Sequence, residues 1–138
     1  MEELEAAYLA TTYRVYTRTG YIDVYISQSN PSLQDYCVRE GVAQWAIITA
    51  SNPNSRALSR SENEARNRQL EQELNRGSLR YLRADGIPCD DSWEAEASFF
   101  VCNIAPDEAM ALGKRFSQNA LVAGDNRGHI ALVWLVDK

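Results

Sequence analysis

The stretch that most constrains the fold is residues 43–50, whose apolar side chains fall on both faces of a strand and so require cover on both sides. Such a strand belongs in the interior of a sheet. It runs as Gln44-Trp45-Ala46-Ile47-Ile48-Thr49-Ala50 straight into Ser51-Asn52-Pro53-Asn54-Ser55. A buried strand ending in an Asn-Pro turn full of amides and hydroxyls sets hydrogen-bonding groups at the rim of a sheet, where loops carry function.

The periodicities on either side define the remaining elements. Residues 2–9 read as a short helix, and residues 11–17 and 21–27 as strands joined by a turn at Thr19-Gly20, with Ile22, Val24 and Ile26 alternating against Asp23 and Tyr25. Asn30-Pro31 supplies an N-cap and an N1 proline, Leu33, Tyr36 and Cys37 make an apolar stripe, and Gly41 is the stop. Ser61-Glu62-Asn63-Glu64 has capping-box spacing and opens a polar helix that ends near Gly77. Residues 79–83 suggest a short strand, 84–92 a loop, and 97–104 a strand rich in aromatics. A helix starting at Pro106 puts Ala109, Leu112 and Phe116 on its core side, and Gly124 to Gly128 is a hairpin loop before residues 130–136, an apolar run expected to be buried on both faces. The sum is one α+β domain over 1–138, with a mostly antiparallel central sheet of six to seven strands and four helices packed on it.

A chain of 138 residues suits one such core, and a net charge of -5 argues against a phosphate-neutralising surface, so no nucleic-acid partner is expected. Three cysteines at wide spacing and a single histidine do not make a metal-ligand pattern, and no cofactor fingerprint is present. Cys37 and Cys102 lie in apolar patterns and read as core residues, whereas Cys89 follows Pro88 in a loop. His129, at the start of the last strand and with no partner evident in the sequence, reads as structural. An acidic start and the lack of a run of about 20 apolar residues point to a cytoplasmic protein with no membrane span. Oligomeric state is left open.

Three polar segments carry the candidate chemistry. On the helix after the turn, Asn63, Asn67, Leu70 and Leu74 share one stripe, so amides line the near end of a core-facing surface and need partners in the fold or in a ligand. In Trp93-Glu94-Ala95-Glu96-Ala97-Ser98, alternation puts Glu96, Ser98 and Phe100 on one face. Glu96 is the candidate catalytic group, a general base or a grip for a ligand hydroxyl, with an arginine such as Arg56 or Arg66 expected to pair with it. In Phe116-Ser117-Gln118-Asn119-Ala120, Gln118 and Asn119 close a helix, with Asn119 suited to the left-handed cap position.

Taken together, Thr49-Ala50-Ser51-Asn52-Pro53-Asn54-Ser55, Asn63 with Leu70 and Leu74, Trp93 to Ser98, and Phe116 to Ala120 resemble the T-A-x-N-P-x-S, Asn-bearing helix, W-x-x-E-x-S and F-x-Q-N-A segments of the bacterial domain-of-unknown-function family 3293. The resemblance spans nearly the whole chain and implies a shared fold and a shared polar site, but no activity. The chain departs from the family pattern at Ser51, where Trp is frequent, and at Ser117, where Gly is.

Two functions fit these residues. One is a pocket for a small polar molecule, nucleotide-like or sugar-like, built from Asn52, Ser55, Asn63, Glu96, Ser98, Gln118 and Asn119. On that basis Asn63→Leu would leave the fold intact while abolishing binding. The other is a protein-interaction module in which the polar residues form an internal network and Tyr13, Tyr16, Tyr21 and Tyr25 present the binding surface.

Overall fold

The computed structural model describes residues 2–90 and 94–137. The elements are α1 (Glu2–Leu9), β1 (Thr12–Thr17), β2 (Gly20–Val24), α2 (Pro31–Glu40), β3 (Gln44–Ile48), α3 (Arg60–Arg76), β4 (Tyr81–Ile87), β5 (Glu96–Cys102), α4 (Pro106–Arg115), β6 (Ala120–Asp125) and β7 (Ile130–Trp134). The strands form one seven-stranded sheet in the order β2-β1-β4-β5-β3-β6-β7, and every pairing among the described residues is antiparallel.

The local signals act as their chemistry dictates. Asn30 Oδ1 accepts the Leu33 N–H at 3.0 Å, Pro31 opens α2, and Gly41 ends it at φ 69°. β3 is paired on both edges, by β5 and β6, as its two-sided hydrophobicity requires. Its Trp45 and Ile47 enter one core, with Phe100, Cys102, Val122, Leu33 and Cys37, while Ala46 and Ile48 enter the other, with Phe99, Val101, Leu70, Leu74, Leu112 and Phe116. The first core draws on all seven strands and lies inside a curled sheet, with α2 over it; α3 and α4 cover the outer face of β5, β3 and β6. The curl brings the ends of the sheet together, and the Ser27 N–H donates to the Ile130 carbonyl at 2.9 Å.

Several expectations are corrected. β4 runs through Ala84, Asp85, Gly86 and Ile87, because β1 and β5 pair with it on both sides and supply the order that the Gly and Asp lack as strand formers. β7 is an edge strand: Ala131 is exposed and Leu132, Val133 and Trp134 are half-buried. The capping box of α3 sits two residues earlier than its sequence suggests. Ser59 Oγ accepts the Glu62 N–H at 3.2 Å and Glu62 Oε1 accepts the Ser59 N–H at 3.2 Å. Ser117, at φ 59°, and not Asn119, takes the left-handed position after α4. Tyr13 is buried and Tyr25 half-buried, leaving Tyr16 and Tyr21 exposed on the first hairpin. His129 does have a partner: Nδ1 lies 2.7 Å from Asp125 Oδ2 across the hairpin loop. Cys37 and Cys102 are buried and Cys89 is exposed; burial pushes the Cys37 thiol up to about 11, so it stays protonated.

Candidate functional site

The loop after β3 is held in an unusual backbone. Asn52, Asn54 and Ser55 all have positive φ, at 48°, 56° and 60°. L-residues adopt this region at a cost, which Asn tolerates best, so the loop must be held from outside. α3 does this. Asn63 Oδ1 accepts the Asn52 N–H at 2.9 Å and Asn63 Nδ2 donates to Asn52 Oδ1 at 2.8 Å, a reciprocal pair. One turn on, Asn67 Oδ1 accepts the Ala50 N–H at 2.9 Å and Asn67 Nδ2 donates to Ser51 Oγ at 2.9 Å. Leu70 and Leu74, fully buried below, fix the helix so that the amides meet the loop; each contributes about 1.5–3 kcal/mol of burial.

The helix exit clasps the loop from the other side. Asn54 N–H donates to the Ser117 carbonyl at 2.7 Å, Gln118 Nε2 donates to the Ser51 carbonyl at 3.0 Å, and Asn119 Nδ2 donates to Ser55 Oγ at 2.7 Å. Arg66 bridges the two: its Nε donates to the Ala50 carbonyl at 2.6 Å and its Nη2 to the Phe116 carbonyl at 2.5 Å. The expected Arg66–Glu96 pair therefore does not form. Arg66 had no signal of this role in the sequence, because its acceptors are backbone carbonyls brought together by the fold.

Glu96 opens β5 and meets the loop from the sheet. Asn52 Nδ2 donates to Glu96 Oε2 at 2.7 Å, and no cation pairs with Glu96 among the described residues. Burial holds its carboxyl above the usual 4.5, with the Asn52 hydrogen bond acting in the opposite direction. The phenols of Tyr8 and Tyr13 are also raised, first by burial and in smaller part by the Glu96 charge.

Of the residues singled out in the sequence, Asn52, Asn63 and Glu96 converge directly and line a cavity of about 1060 Å³ between α3 and the ends of β4 and β5. Gln118, Asn119 and Ser55 brace the same loop but do not line the cavity. Ser98 is 5 % exposed on the inner face, its Oγ without a hydrogen-bond partner, and stands apart from the amides. Trp93 lies outside the described residues. The cavity wall also holds Asn67, the second amide of the α3 stripe, and adds residues that the motifs did not mark as site residues: Arg60, Arg68, Arg83, Glu64, Glu71, Asp85 and Glu94. Arg60 is paired with Glu94 at 3.2 Å and Arg83 with Glu71 at 3.0 Å. Among the described residues no group of three or more His, Cys, Asp and Glu could hold a metal ion, and no helix is long and apolar enough to cross a membrane.

An antiparallel α+β fold with a polar loop clamped between two helices and a strand is thus the class that fold and site define. The chain belongs to the family of proteins of unknown function DUF3293, whose model matches residues 48–121, from the end of β3 through the start of β6. No curated protein and no solved structure matches it.

Proposed function

We propose that the protein binds a small polar metabolite, nucleoside-like or sugar-like, in the cavity beside α3. One observation carries this: Glu96 is among the residues that line that cavity, and its carboxyl, raised by burial, is anchored by a single amide with no cation paired to it among the described residues. A volume of about 1060 Å³ accommodates a molecule of nucleoside or disaccharide size. Five carboxylates against three arginines on the wall disfavour a polyphosphate. Any chemistry on the bound molecule would use Glu96 as general base, its orientation set by Asn52. Unpaired cysteines fit a reducing cytosol, and the family resemblance fits a bacterial source.

A protein-interaction module is the second reading, favoured by the internal pairing of Asn52, Asn63, Asn67 and Gln118 and by the exposed Tyr21, 57 % open and covered on one face by Arg14 at 4.1 Å. An NMR titration of the isotope-labelled chain with nucleosides and monosaccharides separates the two. Binding moves the side-chain amide signals of Asn52 and Asn63. If these signals stay fixed with every compound at millimolar concentration, the polar residues serve the fold alone and the second reading takes over.

A further inference from the structure

The hydrogen-bonding capacity left over at the cavity is lopsided, and this restricts what can bind there. Asn52 Oδ1 already accepts from Leu58 N–H at 2.9 Å and Asn63 Nδ2 at 2.8 Å. Asn63 Oδ1 accepts from Asn52 N–H, and Asn67 is occupied at both ends, its Nδ2 donating to Ser51 Oγ at 2.9 Å and to the Asn63 carbonyl at 3.2 Å. Glu96 is the exception. Its Oε2 accepts one bond from Asn52, its Oε1 accepts none among the described residues, and a carboxylate has about four lone-pair sites. Of the guanidinium groups around the loop and on the cavity wall, Arg66 is engaged on two backbone carbonyls, Arg60 on Glu94 and Arg83 on Glu71, and Arg68, also on the wall, makes no bond to Glu96 among the described residues.

We infer that the ligand carries a planar pair of N–H donors, an amidine-type edge such as that of a guanine base or a guanidino compound, which docks on the Glu96 carboxylate. This deepens the small-molecule reading and rests on it. Two parallel charge-assisted bonds match the two carboxylate oxygens; an amidine-type edge holds both N–H groups fixed in one plane, whereas the two O–H donors of a sugar diol rotate freely and a carbonyl donates none. Partial burial favours the same outcome, since a half-dry carboxylate gains more from a donor pair than a solvated one does.

The experiment titrates the unmodified chain with guanosine against inosine, which lacks the second donor, and with agmatine against butylamine, following the Asn52 and Asn63 amide signals. The expected result is at least a tenfold tighter Kd for the two-donor member of one pair, and the pair that responds distinguishes base from guanidino compound. Glu96→Gln, which replaces one acceptor oxygen by a donor, should then abolish the preference. Equal affinity within both pairs, or a preference that survives Glu96→Gln, overturns the inference. Binding of glucose or ribose with no response to any two-donor compound overturns it too, yet leaves the small-molecule reading standing; silence with every compound removes both. The comparison within each pair uses the natural chain, so it holds even if the variant fails to fold.

Discussion

Asn63 uses both ends of its amide on one neighbour, and that pairing decides what its replacement does. Leucine at this position would leave the Asn52 N–H without an acceptor and Asn52 Oδ1 with only the Leu58 N–H. Stranding a part-buried donor costs about 1–3 kcal/mol, so Asn63→Leu should lower the unfolding free energy by that amount, the opposite of the neutral effect that the helical stripe alone suggests. Urea denaturation reads this directly, and an unchanged midpoint would contradict the pairing. Glu96 adds a pH dependence. Its native carboxyl is raised above the ordinary 4.5, so between that value and its native midpoint the folded chain binds more protons than the unfolded one, and stability falls as pH rises. The contribution is complete below 4.5 and lost as pH rises through the native midpoint. The difference in stability between the natural chain and Glu96→Gln should therefore shift against the natural chain over that window; a difference that is flat with pH would show that the carboxyl is not raised.

Element ends were legible in the sequence wherever a cap is local. Asn30-Pro31 and Gly41 bound α2 because a side chain three residues from its acceptor needs nothing else. Ser59, not Ser61, caps α3, a distinction between two serines that depends on where the incoming loop leaves the sheet. Ser59→Ala should cost about 1 kcal/mol, and Ser61→Ala much less, in the same denaturation assay. Ser117 occupies φ 59°, a conformation glycine adopts without penalty, so Ser117→Gly should stabilise by about 0.5–1 kcal/mol. A destabilised Ser117→Gly would mean that the hydroxyl, not the backbone, matters there. β4 was legible only in part, because what orders Asp85 and Gly86 is pairing with β1, about seventy residues earlier in the chain.

At the scale of the molecule, the sequence signalled the α+β class and the interior position of β3, since both follow from patterning, but not the curl that joins Ser27 to Ile130 or the salt links that engage Arg60 and Arg83. Those depend on long-range register. They also decide the site: the motifs named Asn52, Asn63 and Glu96, whereas the fold determines that these three meet and that, among the described residues, no arginine pairs with Glu96. The closeness of the inner packing shows at Gly124, where an added Cβ would lie 2.2 Å from the His129 carbonyl and 2.4 Å from the Trp45 ring. Gly124→Ala should accordingly destabilise the whole domain by about 3 kcal/mol in thermal unfolding, and a loss under about 0.5 kcal/mol would contradict that packing. At the centre of the site is a carboxylate, Glu96, that the fold buries with no counter-charge paired to it among the described residues. An NMR titration of the Glu96 side-chain carboxyl carbon reads this most directly: a midpoint above 4.5 is expected, and one at or below 4.5 would show that a cation or further donors reach the group.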